Sequence, residues 1–345
     1  MNIIFPEFFG SFQTGTYIRS EHPRDEAWFW WARFASPITL RRMYSPDNPD
    51  CPWEEVVEYA AARFRQAVEL REATPVASVL TTPLTLYYAM LNLTRGIIAI
   101  RSESIPAKRH GLIGFESGET ILACSAKFQS GGTCSELAYH LGMSVTDGMR
   151  ISLLECIRNM PELAWDFGIF SPRGEQATSC VLPVTVIGNT SGRLTLEFST
   201  APPTLQAEWP NWFPGLAAEF DLDEQEPRAI ARDTEKAKSL AGVTEICNRL
   251  LWPSLLWSNE GLSSRPRWWA HRRDPTCPFL PRQVYPLAAA FILSSAVRYE
   301  PEMMSDAVDR ASEFGWLIRR ILMICERYYP QLMTGLILKE PLYFG

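Results

Sequence analysis

Residues 83–100 read PLTLYYAMLNLTRGIIAI, apolar on nearly every side yet crossed by one polar line. Thr85, Tyr88, Asn92 and Arg95 recur along that line at helical spacing. A helix that is apolar almost all round belongs inside a fold. An arginine taken inside costs several kcal/mol unless it is paired. The line must therefore meet partners, and the sequence leaves open whether these are structural groups or a ligand. Thr82-Pro83 provides a cap residue and a first-turn proline. Gly96 costs about 1 kcal/mol relative to alanine inside a helix, which a close helix crossing would justify.

The segment is also the one candidate membrane span. It is slightly short, and Asn92 and Arg95 are costly at a bilayer centre. The opening MNIIFPEFFGSFQTG lacks a basic start followed by an apolar stretch. The expectation is a soluble cytoplasmic protein with no membrane partner. A net charge of −6 argues against bulk non-specific nucleic-acid binding but leaves room for a small basic cleft. The eight cysteines form no CxxC pair, and there are only four histidines. The expectation is reduced thiols, no metal and no cofactor.

Periodicity sketches the rest. Trp28, Phe29, Trp30 and Trp31 form an aromatic knot in a helix over 23–34, either a core brace or a stacking platform. A helix begins at Cys51-Pro52 and stops at Thr74-Pro75, with Trp53, Val57, Ala60, Phe64 and Val68 on one stripe and Arg63, Arg65 and Arg71 off it. Residues 112–128 suggest a hairpin with a Ser117-Gly118 turn, and short helices follow at 135–141 and 146–159. Two strands, 180–187 and 193–199, would put Leu182, Val184 and Val186 on one face with Leu194, Leu196 and Phe198, and Pro183 suggests an edge. Asp221 to Glu226 is an acidic surface connector. Helices return at 234–251, 287–299, 302–311, 313–328 and 331–338. The predicted fold class is α+β, mostly α: a helical bundle around a buried central helix, with one or two inserted β-hairpins. The organisation is an aromatic-rich segment 1–52, a helical core 53–164, a β-containing insert 165–232 and a helical part 233–345.

Three motifs in order resemble the YaaC-like family. They are TTPLTLYYAMLNLTRGIIAI followed by His110-Gly111-Leu112, then Leu153 to Leu163 ending Met160-Pro161-Glu162-Leu163, then Ser294 to Met304 with Arg298-Tyr299-Glu300. The resemblance touches most of the chain from Glu54 to Leu342. It implies a bacterial, cytoplasmic, mainly helical protein, and little chemistry. Its motif positions here are Tyr88, Asn92, His110, Gly111, Arg298 and Glu300, candidates for a shared site.

The chain has no G-x-S-x-G, P-loop, G-x-G-x-x-G or H-E-x-x-H. His110 is the best single candidate, since imidazole titrates near neutrality. Lys108 and Arg109 before it favour its neutral form and attract an anion. Arg95 and Arg298 are the arginines to set beside it, with Tyr88, Asn92, Arg109 and Glu300 as further ligand contacts. Arg298 and Glu300 equally suit a structural ion pair. The stretch Arg265 to Arg273, with Arg267 and Trp268, is the densest basic patch and suits stacking on bases or pairing with phosphate. It equally suits a solvated loop. Its Arg265–His271 spacing resembles that of HEPN-class ribonucleases, but Pro266 breaks a helix there.

Two functions follow. One is a non-enzymatic interaction or sensor module of a bacterial multi-protein system, for stress or anti-phage defence, with other protein subunits as partners. The alternative is a metal-independent, HEPN-like ribonuclease or nucleotide-handling enzyme using His110 with nearby arginines on RNA or a nucleotide anion. Convergence of His110 with two arginines free of carboxylates would favour anion chemistry.

Overall fold

The computed structural model describes residues 2–4, 16–18, 20–74, 78–164, 166, 179–189, 194–199, 204–236, 239, 242, 245–246, 254–258, 267–309, 312–338 and 342–344. Positions 2–4, 16–17, 188–189, 257, 267, 313 and 342–344 are described as backbone. In chain order the elements are β1 (Asn2–Ile4), β2 (Thr16–Ile18), α1 (Pro23–Phe34), α2 (Pro37–Met43), α3 (Trp53–Ala73), α4 (Thr82–Ser102), β3 (Leu112–Glu116), β4 (Ser125–Phe128) and α5 (Thr133–His140). There follow β5 (Arg150–Ser152), α6 (Leu153–Arg158), β6 (Val181–Asn189), β7 (Leu194–Phe198), α7 (Leu205–Trp212), α8 (Pro214–Glu219), β8 (Phe220–Leu222) and β9 (Arg228–Ala231). The last are β10 (Leu255–Ser258), β11 (Arg267–His271), α9 (Val284–Tyr299), α10 (Pro301–Val308), α11 (Glu313–Leu338) and β12 (Leu342–Phe344). The fold is α+β. The chain divides into two compact units, one of residues 20–157 and 283–339, the other of 1–19, 158–282 and 340–345.

In the helical unit α4 packs against α3, α5, α9 and α11. Every position from Ala89 to Ile100 is buried. The α3–α4 crossing is close, because a Cβ at Gly96 would lie 2.3 Å from Cε1 of Phe64. Phe64 is in turn held against Trp31, with ring centroids 4.9 Å apart. No helix among the described residues is long and apolar enough to cross a membrane.

Trp28 and Trp31 of the aromatic knot act as a brace, while Phe29 is exposed. Proline inside a helix removes the N–H that its i−4 carbonyl would accept. Pro330 does this to Glu326 in α11, and the indole Nε1–H of Trp28 donates to the Glu326 carbonyl instead, at 2.9 Å. Trp31 donates to the Pro330 carbonyl at 3.1 Å. One continuous helix therefore replaces the two expected over 313–328 and 331–338. The loose end of α1 is pinned by charge as well: Asp25 pairs with Arg71 of α3, which also reaches Glu326.

The small sheet of this unit runs β3-β4-β5, all antiparallel. Its third strand corrects the helix expected over 146–159, which starts only at Leu153. Oε2 of Glu155 accepts both the backbone N–H and the hydroxyl of Ser152, and the Ser152 hydroxyl accepts the Glu155 N–H. This reciprocal cap fixes the helix start seven residues late.

In the other unit the larger sheet has the order β10-β11-β6-β7-β9-β8, with β1 also on β6. Val184 lies opposite Phe198 and Val186 opposite Leu196, so the predicted faces coincide. Pro183 lies inside the sheet and not at its edge, between β11 and β7. Its carbonyl accepts the Ser199 N–H at 3.1 Å, so the side lacking a donor faces β7 one step beyond the last ladder pair. Arg267–His271 is a strand between β10 and β6, not a loop. The helix expected over 234–251 lies largely outside the described residues, as do Arg265 and Pro266.

Candidate functional site

The loop after α4 is positioned by the first turn of α5. That helix has no side-chain cap, and its leading N–H groups need acceptors. The Arg109 carbonyl accepts the N–H and the hydroxyl of Thr133 at 3.0 and 2.9 Å, and the His110 carbonyl accepts the Cys134 N–H at 3.1 Å. Such contact demands that two backbones meet. Gly111, at φ +81°, lies against Gly132, and a Cβ on Gly132 would fall 2.4 Å from the Gly111 Cα. The helix start thus fixes His110 and leaves its ring beside α4.

Two α4 tyrosines hold that ring. The Tyr87 hydroxyl is 2.8 Å from Nδ1, and the Tyr88 ring meets the imidazole edge-on at 6.0 Å. Tyr87 is buried, and burial pushes its phenol far above the ordinary range, so it stays protonated. The hydroxyl and Nδ1 therefore share one hydrogen bond, which fixes the orientation of the imidazole. Burial first, then Arg95 and Arg298, hold His110 below its usual 6.5.

Arg95 is 9% exposed. Its Nε donates to the Thr133 hydroxyl at 3.2 Å and its Nη2 to the Lys108 carbonyl at 2.8 Å. Both acceptors are neutral. Burial lowers its affinity for the proton, with Arg63 adding to the effect. Arg298 is exposed at the end of α9, donating to the Ser294 carbonyl and the Ser295 hydroxyl and lying 5.1 Å over the Tyr299 ring. Arg63 on α3 donates to Gln66 and Asn92 and stacks on Tyr59 at 4.8 Å. None of these three arginines has a carboxylate within ion-pair distance among the described residues. Glu136 on α5 feels Arg95 only through space. Burial raises its carboxyl, and its Oε2 has no hydrogen-bond partner.

The polar line of α4 is answered mainly from within. Thr85 bonds Thr74 and the Thr82 carbonyl, and Asn92 bonds the Tyr88 carbonyl and Arg63. Beside it lies an open groove of about 460 Å³ lined by Gln66, Glu69, Leu70, Ala73, Tyr88 and Asn92. Tyr88 therefore belongs both to the groove and to the imidazole's surroundings.

Of the predicted site residues, the fold gathers His110, Arg95, Arg298, Tyr88 and Asn92. The side chain of Arg109 is exposed and contributes its carbonyl. Glu300 caps α10 by position and does not pair with Arg298. Arg267 is described as backbone only, in the other unit. Trp268, there too, is 4% exposed between β10 and β6, a core position. Sequence reasoning missed Tyr87, Thr133 and Glu136. The Tyr-Tyr pair signalled an aromatic contact, but only the fold shows which ring takes the imidazole. Among the described residues no group of three or more His, Cys, Asp or Glu side chains could hold a metal.

A family model described as YaaC-like protein matches residues 39–337. No curated protein and no solved structure matches the chain. With that match running from α2 to the end of α11 and taking in every residue around His110, the chain belongs to the YaaC-like family.

Proposed function

We propose that this chain is a sensor module that binds a phosphate-bearing anion beside His110, inside a bacterial multi-protein system for stress or antiviral defence. The observation that carries the reading is the buried Arg95, which meets only neutral acceptors. A sealed guanidinium without a carboxylate leaves positive potential unspent, and a phosphate answers it with charge-assisted hydrogen bonds. Arg298 adds a second cation from the exposed side. The His110 ring adds a neutral hydrogen-bonding group. The α3–α4 groove, with the Gln66 and Asn92 amides and the Tyr88 ring, has room for the organic part of a nucleotide or an RNA end. Glu69 there suits an amine or a hydroxyl, not a phosphate. The helical unit reads as a bundle organised about α4, in the cytoplasm, with other subunits reading its ligand state.

Donor geometry sets sensing ahead of ribonuclease chemistry. An imidazole with Nδ1 engaged by the Tyr87 hydroxyl and its proton affinity lowered by burial and two arginines is a poor proton donor to a reacting phosphate. Calorimetric titration with AMP and with inorganic phosphate at low salt tests the reading. Binding should weaken about tenfold or more in His110→Ala and Arg298→Ala, the scale of one charge-assisted hydrogen bond. Wild-type protein that binds neither probe overturns it. Cleavage of total RNA that disappears in His110→Ala would establish the enzyme instead.

A further inference from the structure

The groove between α3 and α4 carries a hydrogen-bonding pattern of its own. Arginine donates and never accepts. Nη1 of Arg63 donates to Gln66 Oε1 at 3.0 Å and to Asn92 Oδ1 at 3.3 Å, which fixes the way both amides face. The Asn92 NH2 is spent on the Tyr88 carbonyl at 2.9 Å. The Gln66 NH2 meets no acceptor among the described residues and is left for the groove that Gln66 lines. Glu69 lines it too, three residues further along α3. Side chains at that spacing share a helix face, with Cβ atoms about 5–6 Å apart. The Glu69 carboxylate has no ion pair and no hydrogen bond among the described residues. Arg63 does not neutralise it, being committed to the two amides and to the Tyr59 ring at 4.8 Å. Leu70, Ala73 and the Tyr88 ring complete the wall. One neutral donor and one anion with two accepting oxygens therefore stand side by side above an apolar, aromatic surface.

We propose that this groove holds the base of a nucleotide and selects guanine. The inference rests on the phosphate position proposed beside His110 and adds what chooses the base. The Watson–Crick edge of guanine presents the O6 acceptor, then the N1–H and N2–H donors. The Gln66 NH2 donates to O6. The two Glu69 oxygens accept N1–H and N2–H together, a paired and charge-assisted contact. Every other base has a single donor group on that edge: the N6 amine of adenine, the N4 amine of cytosine, the N3–H of uracil. None of them gives a carboxylate two adjacent donors, so one Glu69 oxygen stays unmatched or faces a lone pair. The Tyr88 ring supplies packing that any base accepts, and the choice falls to the α3 pair. Tyr88 also meets the His110 ring edge-on at 6.0 Å, which sets the groove next to the anion position. Glu69 repels phosphate and keeps that end of the ligand on the arginine side.

The test compares GMP, IMP, AMP and inorganic phosphate by calorimetric titration of the full chain at low salt. GMP should bind about tenfold or more tighter than AMP, the discrimination of one good bidentate contact. IMP keeps O6 and N1–H but lacks the N2 amine, and it should fall between them. In Glu69→Gln one side-chain acceptor replaces two, and the GMP-to-AMP ratio should drop toward one. Glu69 is exposed, so that change leaves the core untouched. The inference is overturned if AMP binds as tightly as GMP, or if Glu69→Gln keeps the full preference. Inorganic phosphate separates the two failures. A chain that binds phosphate but treats GMP and AMP alike loses the guanine site alone. A chain that binds neither phosphate nor any of the nucleotides loses the anion site with it.

Discussion

Two arginines are buried among the described residues, and they are buried differently. Arg282, 2% exposed, faces the carboxylate of Glu162, itself 4% exposed. Arg95, 9% exposed, faces a hydroxyl and a carbonyl. The first charge is neutralised by the chain, and the second is solvated by dipoles but not neutralised. Burial of a cation is therefore no mark of a binding site by itself. What separates a structural arginine from a receptive one is whether its counter-charge is already present. Glu326 makes the same point for a dipole: Pro330 deprives its carbonyl of a backbone donor, and Trp28 from a distant helix provides one.

The contrast predicts unequal costs. Glu162→Ala leaves Arg282 buried without its counter-charge and should cost about 3–5 kcal/mol, read by chemical denaturation. Replacing both partners with methionine should recover most of that loss. A cost for Glu162→Ala below about 1 kcal/mol would make Arg282 as tolerant as an exposed pair and erase the distinction. Next in size is Trp28→Phe, which leaves the Glu326 carbonyl unmatched and should cost about 1–3 kcal/mol. Adding Pro330→Ala restores a backbone N–H at that turn and should return part of the loss. Simple additivity of the two changes would show that the indole serves packing alone.

These features divide by how far apart their causes lie in the chain. The helices α3 and α4 were legible because proline starts and apolar spacing are local, and Gly96 announced a close crossing that Phe64 then fills. The β6–β7 pairing was legible because alternation assigns faces before any partner is known. The continuity of α11 was not, since Pro330 locally forbids what the indoles of Trp28 and Trp31 permit from about 300 residues away. The strand β5 was missed because Ile151, Leu154 and Ile157 fit a helical period, although Ser152 and Glu155 spelled a cap in plain view. At the site, His110 and Arg95 stood out by residue type. Tyr87 did not, because an inward tyrosine beside an outward one looks like any core aromatic until its hydroxyl finds a ring nitrogen.

The smallest effect separates the two arginines most directly. Arg95→Met should change stability by no more than about 1 kcal/mol, because replacing a buried charge with a similar apolar volume removes a desolvation cost along with its hydrogen bonds. The imidazole nearby should respond more clearly. His110 is held below 6.5 by burial, Arg95 and Arg298. Below 6.5 the unfolded chain accepts a proton there that the folded chain refuses, so acidification lowers stability until the folded value is reached. Removing Arg95 should raise the His110 midpoint and narrow that window, which the His110 Cε1–H resonance reports by NMR. Phosphate should raise the same midpoint in wild-type protein by adding the missing negative charge. By linkage it must then bind more tightly as pH falls through the bound-state value. A midpoint indifferent to phosphate would mean that neutral dipoles alone satisfy Arg95, leaving it as structural as Arg282.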